Sequence, residues 1–366
     1  MGATGRLACD LALHLRSKGH RITIITTAPT FKHDRAKNLD VIRIASPDKP
    51  EGMKAYLKTL RAMNKTAKKL PRHDVVISMT DPPLLATIGR KIAKKMRAKH
   101  VHWAMDIYPD LLPVMGYQTR PLFYKIAYKR MHKAIKNADM VVPISLCMAR
   151  YLNHQSIPKQ QMDIIENWPD KYLLENEGEP EPLLDANKFR ILYAGTIGLA
   201  HDFDTVLKGA LYFQKTDRDI EFVFTARGGG YKKLAQQVRE MGLNNIRFLQ
   251  PQSSKKLISL MASGDVHLVT IKDSAAGKLF PSKFYSACAA SRPIIYVGPA
   301  NCDIDRKISK TNCGATIRHG DTRTFTNAIT NFKNNSDDWF RASTASNAIL
   351  DNHNPLQQWC DLIDRL

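Results

Sequence analysis

The sequence has few features of a secreted or membrane-spanning protein. No uninterrupted apolar run approaches the ~18 residues that a transmembrane helix needs. We expect no signal peptide, because an amphipathic helix follows the first few residues directly. The six cysteines include no pair with CxxC spacing, which argues against a zinc site and indicates reduced thiols. We therefore expect a cytoplasmic protein.

Acidic residues are scarce in the first part of the chain. Of a formal net charge of +21 over 366 residues, residues 1–150 carry +19 and residues 151–366 carry +2. The cations fall on predicted helices at 54–69, 90–99 and 120–136, and the last of these also has an apolar stripe. Such helices can lie on an anionic membrane surface. For any single helix, a core-facing stripe with a solvated cationic face explains the pattern equally well.

The excess of cations on one half of the chain favours an anionic partner. A nucleic-acid-binding protein is one alternative, suggested by charge alone. It should interleave aromatic residues with the basic ones, and 90–99 has none. Tyr124 and Tyr128 stand among the cations of 120–136, but their helical spacing suits packing as well. We therefore expect an anionic membrane surface as a partner, and no nucleic acid.

Apolar runs alternate with helical segments along the whole chain, which predicts an α/β fold with parallel sheets. Strands are predicted at 21–26, 74–78, 100–104, 140–144, 163–166, 191–195, 221–226, 265–270 and 292–296. We predict a first domain at 1–167, a linker at 168–184, a second domain at 185–345, and a helix within 346–366 that packs back on the first domain. Ligands of open α/β sheets bind at the carboxyl ends of the strands.

The glycine-containing stretch Gly2-Ala3-Thr4-Gly5 has no strand before it. An α/β domain usually opens with a strand followed by such a turn. We therefore expect the first strand of the first domain to be missing, with a gap in its sheet.

Residues 276–296 carry the sharpest local pattern. A loop, a small-residue helix and a strand place backbone N–H groups, the Ser282 hydroxyl and the Lys283 ammonium at a helix start. This arrangement is typical of an anion site. An ordinary capped helix explains the Pro281-Ser282 pair equally well.

Three other motifs are predicted to be structural or weak. Asp202-Phe203-Asp204 and Asp303-Ile304-Asp305 resemble a metal-binding Asp-x-Asp signature. We expect the first to cap a helix and the second to lie in a surface loop. The turn that begins at Arg227 lacks the Gly-Lys-Ser/Thr ending of a Walker loop, although it could still admit a phosphate.

Taken in order, the motifs resemble those of the GT-B glycosyltransferases, and most closely the bacterial family 4 retaining enzymes of surface polysaccharide synthesis. The matching pieces are Gly2-Ala3-Thr4-Gly5, Thr80-Asp81-Pro82-Pro83, Asp106-Ile107-Tyr108-Pro109-Asp110, Asn167-Trp168, Ala194-Gly195-Thr196, His201-Asp202-Phe203-Asp204, Asp265-Val266-His267-Leu268, Pro281-Ser282-Lys283-Phe284-Tyr285 and Arg292-Pro293. The resemblance implies two Rossmann-like domains that face a cleft. It also implies a nucleotide-sugar donor on the second domain, an acceptor on the first, and no metal or cofactor.

The chain departs from the family pattern at three places. Many members have a pair of glutamates around the donor sugar and ribose, where this chain has Lys278 and Ser286. Many clamp the diphosphate with an arginine and a lysine, where Thr196 and His201 stand. A histidine that precedes the aspartate of the first domain is replaced by Met105.

Glycosyl transfer develops negative charge on the leaving diphosphate, so cations and N–H groups carry most of the catalysis. We predict Lys283 and Arg227 as the cations and Asp106 as the acceptor-side residue. For Asp106, a helix N-cap is an equally good explanation. The predicted catalytic residues are Asp106 and Lys283, and the predicted donor-binding residues are Gly5, Gly195, Thr196, His201, Arg227, Lys278, Phe280, Pro281, Ser282 and Ser286.

The resemblance implies a retaining transferase that moves a sugar onto a glycan or a polyprenyl-linked acceptor, and a peripheral position on the membrane. Two alternatives remain open. A sugar-nucleotide epimerase of the same fold would need acidic and His side chains at the sugar, and the missing glutamate pair counts against it. The same losses are compatible with a degenerate, inactive homologue.

Overall fold

A computed structural model describes residues 3–27, 39–44, 52–118, 120–175, 187–250 and 254–366. The strands are β1 (Thr23–Thr26), β2 (Asp40–Arg43), β3 (Val75–Ser78), β4 (Lys99–Ala104), β5 (Met140–Pro143), β6 (Phe189–Thr196), β7 (Ile220–Arg227), β8 (Ile246–Leu249), β9 (Val266–Thr270), β10 (Ile294–Val297) and β11 (Gly314–Ile317). The helices are α1 (Ala3–Ser17), α2 (Gly52–Ala67), α3 (Leu85–Met96), α4 (Leu111–Val114), α5 (Pro121–Lys136), α6 (Leu146–His154), α7 (Lys171–Glu175), α8 (Asp204–Thr216), α9 (Tyr231–Glu240), α10 (Ser254–Ala262), α11 (Lys283–Ala289), α12 (Asp303–Thr311), α13 (Thr322–Asn334), α14 (Ser336–Ala348) and α15 (Pro355–Asp364).

The second half of the chain forms one parallel six-stranded sheet in the order β11-β10-β9-β6-β7-β8. Its central strands β9 and β10 are buried along their whole length, as expected where helices cover both faces of a parallel sheet. The chain order reverses direction between β6 and β9. In a doubly wound sheet, the crevice outside the carboxyl ends of two such strands is where ligands bind.

The strands of the first half fall into two parallel sheets among the described residues, β1-β2 and β3-β4-β5. These two sheets are not joined to each other among the described residues, and the missing first strand stays a prediction. The α/β class with parallel sheets, predicted from the alternating pattern, is confirmed.

The predicted strand at 163–166 is wrong. The Asp163 and Ile165 N–H groups donate to carbonyls of β5, but pairing is limited to one bridge at Met162. Beyond this bridge, the Glu166 side chain contacts the other half of the molecule. It accepts hydrogen bonds from the Tyr285 hydroxyl at 2.6 Å and the Lys307 ammonium at 3.0 Å.

The C-terminal helix α15 packs against the first half, next to α1. Trp359 of α15 is fully buried, and its ring centroid lies 4.8 Å from that of Trp103 on β4. Trp168 stacks on the other side of Trp103 at 5.7 Å. One continuous apolar core includes these rings together with Phe280 of the second half. The division into domains at 167 and 185 stays a prediction, since much of the proposed linker lies outside the described residues.

The prediction for Asp303-Ile304-Asp305 is also wrong, because these residues begin α12 and both carboxylates are buried. The Cys147 N–H, in the first turn of α6, donates to the Asp303 carboxylate at 2.8 Å. The Asp305 carboxylate accepts from Arg318 at 2.6 Å. Asp303 thus joins the two halves through the N-terminus of a helix, which an exposed loop residue could not do.

The N-cap residue of α8 is Phe203, so Asp202 contacts the first turn of the helix from one residue before the N-cap. The Asp202 carboxylate accepts a hydrogen bond from the Asp204 N–H at 2.9 Å, at the start of α8. Within the described ranges, no helix is both long and apolar enough to cross a bilayer.

Candidate active site

The candidate site lies at the carboxyl ends of β6 and β9, where the strand order of the large sheet reverses. Three loops meet there: the turn after β6, the turn after β7, and the loop from β9 to α11. The loop of the first half that follows β4 approaches the same place. Each contributes side chains that the sequence patterns had singled out.

Lys283, the first residue of α11, lies at the centre of this site. Its ammonium donates a hydrogen bond to the Tyr193 hydroxyl at 2.8 Å and stands 4.4 Å from the centre of the Tyr193 ring. Among the described residues, no carboxylate forms an ion pair with it. Burial lowers the pKa of Lys283 from 10.5 to about 7. Lys283 is half-buried, and a partly desolvated cation without a counter-charge is costly, so the site favours an anion.

Gly195 makes room for this lysine. Its φ is +131°, and a Cβ there would lie 3.3 Å from the Lys283 Cε atom. A side chain at this position would therefore be strained by the backbone and would crowd the lysine. The prediction that Gly195 allows a close approach is consistent with this geometry.

Tyr193 is a site residue that the sequence analysis missed. It is fully buried on β6, accepts from Lys283, and donates its own hydroxyl hydrogen to the Thr196 carbonyl at 3.1 Å. Alternation along a strand puts residues 193 and 195 on the same face. That spacing was the available signal that Tyr193 contacts the side chain that lies over Gly195, which is Lys283.

His201 is held by a hydrogen bond from Nδ1 to the Thr270 carbonyl at 2.5 Å, which ties the turn after β6 to the end of β9. Burial, together with the nearby Lys283, lowers its pKa to about 3. The imidazole is therefore neutral and, with Nδ1 donating, has its other nitrogen available as an acceptor. His201 does not replace the missing family cation.

Thr196 and Arg227 are register partners at the ends of β6 and β7, and both are exposed. The glycine turn after Arg227 packs directly on the turn after Thr196. A Cβ at Gly228, whose φ is +132°, would stand 2.5 Å from the Ile197 carbonyl oxygen. This contact fixes the two turns side by side and leaves the Arg227 side chain at the rim of the site.

The loop before α11 contributes backbone more than side chains. Phe280 is buried and stacks on Tyr285 at 5.5 Å, and Pro281 is buried beside it. Ser282 stands at the N-cap of α11 but its side chain makes no capping hydrogen bond. The helix has only seven residues. The Lys283 side chain is therefore a stronger feature of the site than the helix N-terminus.

The two halves meet at Asp106. It forms a single antiparallel bridge with Leu279, and the neighbouring Ile107 N–H donates to the Lys278 carbonyl at 2.8 Å. Burial and the nearby Asp81 raise the pKa of Asp106 to about 6. The N-cap explanation for Asp106 is wrong, because the next helix begins at Leu111 with Asp110 before it. Leu279, the bridge partner of Asp106, lies four residues before Lys283 in the chain. Asp106 is thus next to the loop that leads to the lysine.

The remaining predicted residues lie at the edges of this arrangement. The Lys278 ammonium donates to the Ser274 carbonyl at 2.9 Å and lies 5.7 Å from the Tyr151 ring of the first half. Ser286 is half-buried on α11, and Gly5 lies in the first turn of α1. That Lys278, Ser286 and Gly5 bind a nucleotide-sugar donor stays a prediction. In the described part of the chain, no three His, Cys, Asp or Glu residues cluster closely enough to hold a metal ion.

Comparisons with known proteins agree with the fold. Residues 4–171 match the family model described as Glycosyltransferase Family 4. Two solved structures superpose on nearly the whole chain. HepE from Anabaena in complex with UDP-glucose has a TM-score of 0.74 at 14% identity, covering 100% of this chain and 97% of HepE. WaaG, a glycosyltransferase involved in lipopolysaccharide biosynthesis, has a TM-score of 0.74 at 13% identity, covering 99% and 96%.

The chain has the GT-B fold. The resemblance to family 4 stated from the sequence is confirmed by the family match. A third relative, the putative colanic acid biosynthesis glycosyl transferase WcaI of Escherichia coli (strain K12), is 22% identical over 332 residues, covering 82% of this chain and 81% of WcaI. In this GT-B chain, Lys283 belongs to the half with the six-stranded sheet, and Asp106 belongs to the first half.

The burial of Lys283 predicts a pH-dependent stability. Its pKa of about 7 in the folded protein lies below the 10.5 of the unfolded chain, so between these values the unfolded chain binds more protons. The free energy of unfolding should therefore rise with pH across that window, by up to about 1.4 kcal/mol per unit from this group. Urea unfolding of the wild type and Lys283→Met at pH 6, 7, 8 and 9 measures the difference. If the free energies of unfolding of the two proteins changed with pH in parallel, the pKa of Lys283 would not be lowered in the folded state.

Proposed function

We propose that this protein is a retaining, metal-independent glycosyltransferase that uses a nucleoside-diphosphate sugar. The acceptor would be a glycan or a polyprenyl-linked sugar in cell-surface polysaccharide synthesis. The single observation that carries the donor assignment is the Lys283 ammonium, half-buried against Tyr193 and Gly195 with no carboxylate partner in the described part of the chain. Such a cation at a sheet's ligand crevice calls for an anion.

The leaving diphosphate is the anion that fits the proposed chemistry. As the bond from the sugar to the diphosphate breaks, negative charge grows on the phosphate oxygens. Lys283 stabilises that charge from a fixed position, because its hydrogen bond to Tyr193 and the ring beneath it hold the ammonium in place. Arg227, exposed at the rim, is the proposed second cation. Thr196 and Ser282 border the same crevice as proposed hydrogen-bond donors.

Retention fits attack from the face that the diphosphate leaves, with the departing phosphate taking the acceptor's proton. This mechanism needs no nucleophilic carboxylate on the second domain, in keeping with Lys278 and Ser286 at the positions of the family glutamates. We assign Asp106 to the acceptor side, where its raised pKa suits a hydrogen bond to a sugar hydroxyl.

The relatives support the donor and acceptor classes. HepE was crystallised in complex with UDP-glucose, which favours a UDP-sugar here. WcaI is described in colanic acid biosynthesis and WaaG in lipopolysaccharide biosynthesis, which favours a surface glycan as the product. Under this proposal the acceptor is presented at an anionic membrane surface.

Nucleotide binding is the first test of the proposal. We expect one nucleoside diphosphate, either UDP or GDP, to raise the melting temperature, because a ligand that binds the folded state stabilises it by mass action. The monophosphate CMP is the control. At a concentration of 100 times Kd the gain is about 2.7 kcal/mol. Differential scanning fluorimetry measures the shift, and Lys283→Met should lose it. Stabilisation by DNA oligonucleotides and by none of the nucleotides would contradict the proposal.

Product analysis separates the remaining alternatives. The protein is incubated with a panel of UDP- and GDP-sugars, with and without a polyprenyl-diphosphate-sugar acceptor. A glycosyltransferase extends the acceptor and releases the nucleoside diphosphate. Interconversion of two sugar nucleotides without acceptor would identify an epimerase, and binding without any product across the panel would identify an inactive homologue.

A further inference from the structure

The helices α2, α3 and α5 lie side by side in the first half of the protein, α3 contacting both of the others. Their 44 residues include thirteen Lys and Arg and no Asp or Glu. Cations on all three are exposed, among them Lys58, Lys94 and Lys129. The basic half of the sequence therefore folds into one cationic surface, which we call the basic face.

The apolar stripe of α5 is buried at one end only. Met131, Ala134 and Ile135 belong to the core, as a core-facing stripe requires. The same stripe continues to Leu122, Phe123 and Ile126, which are 67%, 64% and 40% exposed. Packing within this chain explains half of the stripe and leaves the other half uncovered.

The uncovered residues are interleaved with cations. Lys125 follows Leu122 by three positions, and Arg130 follows Ile126 by four, so Leu122 and Ile126 each have a cationic neighbour on the helix surface. Apolar side chains that can enter a bilayer, bordered by cations that reach lipid phosphates, are the signature of an interfacial helix.

We propose that the basic face, with Leu122, Phe123 and Ile126 of α5 inserted, docks on the surface of an anionic phospholipid bilayer. Charge complementarity argues for this partner, because the face has no acidic residue to oppose lipid phosphates. Nucleic acid would satisfy the cations as well, but a duplex backbone offers nothing to three neighbouring apolar side chains. A bilayer satisfies both parts of the surface.

The position of this face suits the proposed reaction. The exposed end of α5 follows α4, whose Val114 carbonyl accepts a hydrogen bond from Lys272 of the second half at 3.2 Å. The apolar side chains are thus close in the chain to the acceptor-side loop that carries Asp106. Docking there would bring a lipid-linked sugar to the cleft. The acceptor part of this inference rests on the proposed function, whereas the docking itself is measured without turnover.

Vesicle binding tests the inference. We expect the wild-type protein to co-sediment with vesicles of phosphatidylcholine and phosphatidylglycerol at 3:1, and to bind pure phosphatidylcholine vesicles far more weakly. Phe123→Ser should weaken binding to the anionic vesicles about tenfold, since an aromatic side chain leaves the bilayer. The double variant Lys125→Glu/Lys129→Glu should weaken it at least about twenty-five-fold, because each cation is worth a factor of about five.

Matched controls lie on the second half. Phe340 on α14 is 67% exposed, so Phe340→Ser removes the same side chain from a comparable environment. Lys232→Glu/Lys233→Glu makes the same charge change on α9, where both lysines are exposed. Neither control should alter vesicle affinity by more than about twofold. Melting temperatures and nucleotide shifts of all four variants should equal those of the wild type.

Two results would overturn the inference. The first is an equal loss of vesicle affinity in the α5 variants and their controls. The second is DNA or RNA binding that depends on α5 while anionic vesicles are not bound, which would assign the face to nucleic acid. If a nucleoside diphosphate raises the melting temperature but the protein does not bind anionic vesicles, the docking inference is wrong and the proposed function stands. Vesicle binding without any nucleotide shift removes the proposed donor alone.

Discussion

The Lys283→Met variant is expected to lose about 10²–10³ in kcat for sugar transfer, the cost of removing one fixed group that stabilises developing charge. Methionine keeps the length of the side chain against Tyr193 and Gly195 but removes the ammonium. Initial rates at saturating donor, with the nucleoside diphosphate affinity from calorimetry, measure the loss. Affinity for the nucleotide should fall at least tenfold in the same variant.

The same variant should be as stable as the wild type at neutral pH, or more stable. The wild type pays to bury a cation that no described carboxylate pairs with, and Met removes that cost. Lys310→Met is the control, since it makes the same change at an exposed lysine near the end of α12 to which no role in the site is assigned. It should keep most of the activity. A destabilised Lys283→Met protein with unchanged nucleotide affinity would make Lys283 a packing residue.

Trp359→Ala is expected to lower the free energy of unfolding by about 3–5 kcal/mol, the range for deleting a fully buried large aromatic side chain. The ring is 0% exposed and packs on Trp103 at 4.8 Å, so truncation leaves a cavity between α15 and β4. Urea unfolding followed by circular dichroism measures the change.

Phe340→Ala is the matched control for this prediction, because Phe340 is an aromatic residue on a neighbouring helix that stays exposed. Its effect should stay within about 0.5 kcal/mol. A loss below about 1 kcal/mol for Trp359→Ala would mean that α15 contributes little to the first half, contrary to the packing of the three tryptophans.

Most of the strand and helix pattern was readable from the sequence where apolar runs are continuous. The strands ending at Gly195, Ala226 and Thr270 are in place, because a parallel strand buried on both faces leaves a run that loops interrupt clearly. Strands β2, β8 and β11 were missed. Each has four residues and lies at the edge of its sheet, and polar residues flank or interrupt its apolar ones, so its signal is weak.

The candidate site was predictable in part. Gly195 and Lys283 were predicted from loop chemistry, and the fold brings them into contact. Tyr193 was overlooked because an aromatic residue in a buried strand is ordinarily a core residue. The Asp303 carboxylate was assigned to a surface loop because nothing local reveals that the α6 N-terminus, 156 residues earlier, supplies its hydrogen bond.

The amino-acid sequence alone determined the α/β class, the concentration of cations before residue 150, and the lysine at the start of a short helix. These depend on composition and on periods of a few residues, which are local properties. Tertiary structure alone decided that Lys283 is half-buried with no counter-charge among the residues that the structure describes, that Asp106 meets Leu279, and that the apolar stripe of α5 is covered at one end only. Burial and pairing depend on residues distant in the chain, and local pattern carries no information about them.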